Sequence, residues 1–286
     1  MGLFTDTIFT PLDFAKNITL TANSQHGRVR FDALRNQLNY AGALQRALFP
    51  KGRHFESLFS DHFLLYRPKN LVSGDFYWTC EVNNIRYFAC ADCTGNAIPA
   101  AMLAVFGYSL LNQAIHNSNL RTPAEILSKI DERIIESFEF DDKRRMTTDW
   151  IDISLGAYHE DLGELHFCGA NRKGLIISES NSYILPSNKY PLGGWQVEEK
   201  RKFSQSRVKI EKGSWVYFGV DGYREQFSNE HTSHEKRFGS ESMHKLLRSI
   251  STFSGEEQQR FLTENLSLWT NGREQTDDVC VLGVKI

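Results

Sequence analysis

Four aspartates stand where short apolar runs give way to turns: Asp75 in Ser73-Gly74-Asp75, Asp92 in Ala91-Asp92-Cys93-Thr94-Gly95, Asp221 in Val220-Asp221-Gly222, and Asp277 in Thr276-Asp277-Asp278. A carboxylate at the end of a buried strand is costly unless a cation or a partner neutralises it. Hard oxygen donors of this kind suit Mg²⁺ or Mn²⁺, whereas zinc favours His and Cys. Two such cations in one cleft would serve phosphoryl chemistry, because they offset charge on the phosphate and acidify an attacking water. Any one of these dipeptides also marks ordinary turns. Their order along the chain, with the sequence around them, is what points to a common site.

The elements that must position these residues are legible in the pattern of apolar residues. Phe31, Leu34, Leu38, Ala41, Gln45 and Leu48 recur at spacings of three and four, the seam of a packed or dimerising helix, which Pro50 ends. That helix either docks on its own domain or pairs with a second copy. Aromatic and β-branched runs predict strands at 62–66, 76–81, 85–91, 150–158, 164–170, 174–178, 215–220 and 279–284. The segment 97–115 is apolar all round and reads as a buried helix. Thr122-Pro123 caps a second helix with Ile126, Leu127, Ile130 and Ile134 on one face. Two more helices are expected at 240–250 and 255–269. Strands and helices do not alternate one for one, so the expected class is α+β: two antiparallel sheets sandwiched between helix layers. The expected organisation is an extension of undefined form at 1–28, a coupling helix at 29–50 and one large domain over 51–286.

Composition narrows the rest. The 33 basic and 35 acidic residues leave a net charge of −2, so no bulk field draws the chain to nucleic acid or an anionic membrane. Basic runs at Lys143-Arg144-Arg145 and Lys200-Arg201-Lys202 read as solvated faces, with substrate docking as the alternative. The five cysteines suit reduced thiols, and Cys90-x-x-Cys93 lacks the second pair that a zinc site needs. Cys90 is expected to face the core and Cys93 to sit in the following loop. The chain has neither a signal peptide nor the run of about 18 consecutive apolar residues that a spanning helix needs. It reads as cytoplasmic, alone or as the soluble output domain of a longer membrane sensor.

From about Leu38 to Ile286 the sequence resembles the bacterial metal-dependent (PPM-type) protein phosphatases, in the branch of stage II sporulation protein E and the sigma-factor regulatory phosphatases. The matching blocks, in order, are Ala43-Leu44-Gln45 to Pro50, Tyr66-Arg67-Pro68-Lys69, Val72 to Trp78, Ala91 to Gly95 with Pro99-Ala100-Ala101, Cys168-Gly169-Ala170-Asn171, Tyr190-Pro191-Leu192-Gly193-Gly194, Val220 to Tyr223, Phe238-Gly239 and Gln275 to Val279. The resemblance implies a serine/threonine phosphoprotein phosphatase with two Mn²⁺ or Mg²⁺ ions. It implies that Asp92 bridges both ions with the Cys93 carbonyl as a further ligand, that Asp221 and Asp277 serve the second ion and Asp75 the first, and that Asp278 is a supporting neighbour. It also implies a phosphorylated protein substrate resembling an anti-sigma-factor antagonist, an opposing kinase, and no nucleic acid partner. A homodimer through residues 29–50 fits the helical seam.

Two departures from the family pattern stand out: Asn96-Ala97 replaces the common His-Gly, and Asn171 is followed by Arg172-Lys173, where relatives often carry Asn-Pro. Arg172 and Lys173 read as exposed loop charges or as contacts to substrate phosphate. Two other functions compete with the phosphatase reading. A non-catalytic phosphatase-fold module that binds a regulatory partner would tolerate the altered loop but has no need of the aspartates. A phosphodiesterase or nucleotide hydrolase would call for a Gly-rich phosphate loop or a basic groove, and the sequence has neither.

Overall fold

A computed structural model describes residues 25–116, 120–138, 149–194, 201–228 and 236–286. The Lys143–Arg145 run and nearly all of the 1–28 extension lie outside them.

The described chain runs as helix α1 (Gln25–Leu48), a short helix α2 (Gly52–Glu56), strands β1 (Asp61–Arg67), β2 (Asp75–Val82) and β3 (Ile85–Cys93), and helices α3 (Ala97–His116) and α4 (Pro123–Ser137). Strands β4 (Trp150–His159), β5 (Glu164–Ala170), β6 (Gly174–Ile177), β7 (Ser182–Leu185), β8 (Leu192–Gly193), β9 (Ser206–Lys209) and β10 (Trp215–Gly219) follow. Helices α5 (Ser240–Ile250) and α6 (Gly255–Thr270) and a final strand β11 (Val279–Lys285) complete it. The strands form two antiparallel sheets, ordered β1-β11-β10-β6-β7 and β2-β3-β4-β5-β9, with β8 paired to β4. The expected α+β sandwich is therefore the observed one.

Strand periodicity explains how one sheet serves two cores. Along β10 and β11, Val216, Phe218, Cys280, Leu282 and Val284 point between the sheets, where Phe218 stacks on Phe88 at 4.9 Å. The alternate residues Trp215, Tyr217, Val279 and Val281 point the other way, under Met243, Leu247, Leu262 and Leu266 of α5 and α6. A strand buried on both faces reads as a continuous apolar run, which is why these segments show no polar alternation. On the outer face of the other sheet lie α3 and α4. By length and composition α3 could cross a membrane, yet half of its apolar stretch is buried in this core. The N-terminus of α4 is closed by Thr122, whose Oγ1 accepts from the Glu125 amide at 3.3 Å while Glu125 accepts from the Thr122 amide at 3.2 Å.

The strands missed in the sequence are short: β8 is two residues defined by its pairing with β4, and β7 and β9 are edge strands whose faces are half exposed. Two sequence expectations are corrected. Cys93 is the buried last residue of β3, not a loop residue, because the β3 ladder with β4 continues through it. Arg201 is no solvated charge. It is buried beside Asp131 at 3.6 Å and donates to the carbonyls of Pro191 and Gly193, tying the Tyr190–Gly194 block to α4.

Candidate active site

The antiparallel register places three aspartates in one row across three strands: Asp75 on β2 faces Asp92 on β3, which faces Asp152 on β4. Directly opposed like charges destabilise a sheet, so a row of three demands neutralisation. Asp221 and Asp277 reach the same end of the sandwich from the other sheet, following β10 and preceding β11. Gly222 is required there for closeness: a Cβ on it would lie 1.7 Å from the Asp278 carbonyl oxygen. Buried Gln226 fastens the two segments, donating to the carbonyls of Gly222 at 2.7 Å and Asp277 at 3.4 Å and accepting from the Thr276 amide at 3.0 Å. Asp278 has both carboxylate oxygens on backbone amides, Lys69 at 2.7 Å and Gly74 at 2.9 Å, and so ties the start of β11 to the loop before Asp75.

The electrostatics record the crowding. Burial first, then the charge of Asp92, pushes the Asp75 carboxyl well above the ordinary carboxylate range. The Asp92 carboxyl stands at about 8: burial raises it most, Arg172 pulls it back, and the charges of Asp221, Asp277 and Asp152 add to the rise. Burial likewise raises Asp152 and Asp277. Asp75 Oδ2 and Asp152 Oδ1 are buried and have no hydrogen-bond partner among the described residues.

Arg172 is where the structure departs most from the sequence reading. It is no exposed loop charge: only 7% of its surface is accessible, and its guanidinium stands among the carboxylates. It donates to Asp92 and, at 2.8 Å, to Asp221, and lies 3.4 Å from Asp152. The route by which it gets there is local. A Cβ on Gly169 would fall 2.0 Å from the Arg172 carbonyl oxygen, so glycine alone lets the loop fold back, and Asn171 makes the bend at φ +56°. Asn171 then donates to Asp152 at 2.8 Å. Burial disfavours the Arg172 charge, but Asp92, Asp221 and Asp152 more than reverse this and hold it above the usual arginine range. Arg224 lies beside it, its charge disfavoured by burial and then by Arg172.

All five sequence-derived positions, Asp75, Asp92, Cys93, Asp221 and Asp277, thus sit at one end of the sandwich. Among the described residues no three of their side chains converge on a single coordination point. The donor chemistry nonetheless fits hard divalent cations: oxygens only, two buried carboxylate oxygens without partners, and carboxyls that raise one another's pKa. Asp152 and Gln226 were missed in the sequence, and Arg172 was read there only as a loop charge or a phosphate contact. Asp152 carried a usable signal, a lone carboxylate in the apolar strand Trp150–His159, whereas the placement of Arg172 depends on a loop fold that no local pattern announces.

The loop after Asp92 is strained. Gly95 has φ +97°, and Ala97, where relatives commonly have glycine, has φ +51°. An L-residue other than Gly is disfavoured there. Ala97→Gly is expected to raise stability by about 0.5–1 kcal/mol, after the larger unfolded-state entropy of glycine is deducted; thermal unfolding of the two proteins checks it.

Comparison with known proteins agrees with this fold. The family model described as Stage II sporulation protein E (SpoIIE) matches residues 86–286. The chain belongs to the SpoIIE family, and is a metal-dependent serine/threonine protein phosphatase of the PP2C type. Among solved structures it is similar to the SiaA-PP2C domain of Pseudomonas aeruginosa, at 23% identity and TM-score 0.79, covering 90% of this chain and 98% of that one. It is similar to the RsbU and RsbW domains of a Mycobacterium tuberculosis protein, at 16% identity and TM-score 0.59 over 79% of this chain and 59% of that one. RsbX in complex with magnesium matches at 15% identity and TM-score 0.51 over 79% and 94% of the respective chains. No curated protein matches by sequence.

Proposed function

We propose that this phosphatase hydrolyses phosphoserine or phosphothreonine on a small signalling protein of a bacterial partner-switching pathway, with a pair of Mn²⁺ or Mg²⁺ ions held by Asp75, Asp92, Asp221, Asp277 and the Cys93 carbonyl. The observation that carries this reading is the opposed row of Asp75, Asp92 and Asp152, closed by Asp221 and Asp277 from the second sheet. The likeness to a magnesium-bound RsbX supports the metal class. Bound there, the ions would offset the phosphoryl charge and lower the pKa of an attacking water. The chain's own residues do the rest. Arg172 and Arg224 bring cationic charge to one side of the site, and Asp278, Gln226 and Lys69 hold the carboxylates in place through backbone contacts. Burial pushes the Cys93 thiol well above its ordinary range, so it stays protonated and is no nucleophile. With Asn96 in the loop after Asp92, no imidazole follows that aspartate to protonate the leaving oxygen, and the proton would come from solvent or a metal-bound water.

Turnover of a phosphoserine peptide is expected to stop in EDTA and return with Mn²⁺, while a cyclic dinucleotide is left intact under both conditions. Full activity in EDTA would sink the metal reading, and peptide binding without turnover at saturating Mn²⁺ would favour a non-catalytic partner-binding module.

The likeness to RsbU and RsbW domains supports a protein partner of the partner-switching kind, a phosphorylated anti-sigma-factor antagonist with an opposing kinase. Helix α1 is the element through which such a pathway would reach the site. Of its seam, Gln45 alone is deeply buried. It donates to the Ser73 carbonyl at 2.7 Å and accepts from the Ser73 amide at 3.0 Å, and the Ser73 hydroxyl in turn accepts from the Asp75 amide at 3.0 Å. Phe31, Leu34, Leu44 and Leu48 stay exposed. One end of α1 therefore grips the loop that sets Asp75, and the exposed row is available for a second copy, with residues 29–50 as the coupling segment. A Leu34→Glu, Leu38→Glu double variant should lose dimer mass in light scattering and change specific activity severalfold. If both stay at wild-type values, α1 only packs.

A further inference from the structure

Next to the carboxylate cluster lies a cavity of about 340 Å³ whose apolar part the hydrolytic chemistry does not use. It opens between the outer face of β6 and β10 and helix α5. Its floor is apolar, built from Leu175, Tyr217, Met243 and Leu247, and half-exposed Ile184 of β7 stands at its rim. One end is cationic, lined by Arg172, Lys173 and Arg224. Arg172 also donates to Asp221 at 2.8 Å, so the cationic end of the cavity and the catalytic carboxylates share a side chain. Arg224 is aimed by Ser240 at the start of α5, whose hydroxyl it meets at 2.8 Å.

A volume of this size holds one large side chain with room for water, and pockets of such mixed lining bind groups that are apolar at one end and anionic at the other. A phosphorylated peptide segment has that polarity: the phosphoryl group belongs at the Arg172 end, and a neighbouring residue one to three positions away, at about 3.3 Å per extended residue, reaches the floor. We propose that this cavity is a substrate pocket for a large apolar side chain flanking the phosphorylated residue, so that the enzyme selects phosphoproteins with Leu, Ile, Met or Phe beside the phosphoserine or phosphothreonine. The proposal rests on the phosphatase reading of the neighbouring site, and it commits the pocket to part of that protein substrate, not to a free metabolite.

The test uses the full chain with Mn²⁺ and a set of phosphoserine peptides on an alanine background, in which one leucine or phenylalanine is moved through the flanking positions. kcat/KM is measured for each, and Kd is measured by fluorescence anisotropy for matching peptides whose phosphoserine is replaced by a non-hydrolysable phosphonate. One register should gain about tenfold or more in both kcat/KM and affinity over the all-alanine peptide, the worth of burying a large apolar side chain. That gain should disappear in Ile184→Asp, a rim position exposed enough to leave the fold intact. Equal values across the scan, or a gain that survives in Ile184→Asp, would overturn the pocket. Turnover without preference leaves the phosphatase reading standing and removes the pocket; a register-specific gain in affinity with no turnover of any peptide does the reverse.

Discussion

Asp92→Asn is expected to lower phosphatase turnover by about three orders of magnitude, because metal-assisted stabilisation of phosphoryl charge is worth several kcal/mol and each 1.4 kcal/mol is tenfold. The same change leaves the metal-free fold at least as stable as the wild type near neutral pH. Asp92 stands between Asp75 and Asp152 in the strand register, and burial with its acidic neighbours moves its carboxyl from the ordinary 3.8 to about 8. A folded value above the unfolded one means that protonation favours folding. This contribution is complete below the unfolded value and is lost as pH rises through the folded one. The metal-free wild type should therefore lose stability relative to Asp92→Asn between about pH 4 and pH 8, since the amide cannot deprotonate. Saturating Mn²⁺ should restore the wild type and do little for the variant. Thermal unfolding in EDTA across that pH range, repeated with Mn²⁺, measures both effects, and parallel curves for the two proteins would mean that Asp92 feels no carboxylate crowding.

Most of the architecture behind this prediction was legible in the sequence, for identifiable reasons. Strands β1 to β6, β10 and β11 are apolar runs bounded by turn residues, and α4 carries its own start signal in Thr122, Pro123 and Glu125. The candidate carboxylates were legible because each breaks an apolar run where it meets a turn. What stayed hidden depends on contacts between distant segments. Gln45 looked like one more member of a helical seam, and only its paired hydrogen bonds to Ser73 show that this end of α1 is docked while the row from Phe31 to Leu34 is open. Asp-Gly at 221–222 reads as a turn, yet Gly222 is held by the approach of the Asp278 carbonyl. Arg201 sits in a basic run and is nonetheless buried against Asp131. Local charge patterning cannot tell a solvated arginine from one that a loop has folded inward.

Arg172 is the sharpest instance, and it yields the second large effect. Arg172→Ala is expected to destabilise the metal-free protein by about 3–5 kcal/mol, the loss typical when one partner of a buried charge cluster is removed and the others stay. Its guanidinium is the cation that Asp92 and Asp221 share, with Asp152 close by, and two carboxylate oxygens of the cluster already lack partners. Deleting it leaves those carboxylates facing one another with no compensating charge. Divalent cations supply charge of the same sign to the same carboxylates, so the loss should shrink in saturating Mn²⁺, and the stabilisation gained on adding metal should be larger in the variant than in the wild type. Urea unfolding in EDTA and in Mn²⁺, for wild type and variant, gives the four free energies that this comparison needs. Arg172→Lys keeps the charge without the planar fork that reaches two carboxylates, so it should fall between the two. An equal loss with and without metal would show that Arg172 contributes packing alone, and would separate its place in the fold from the charge balance of the site.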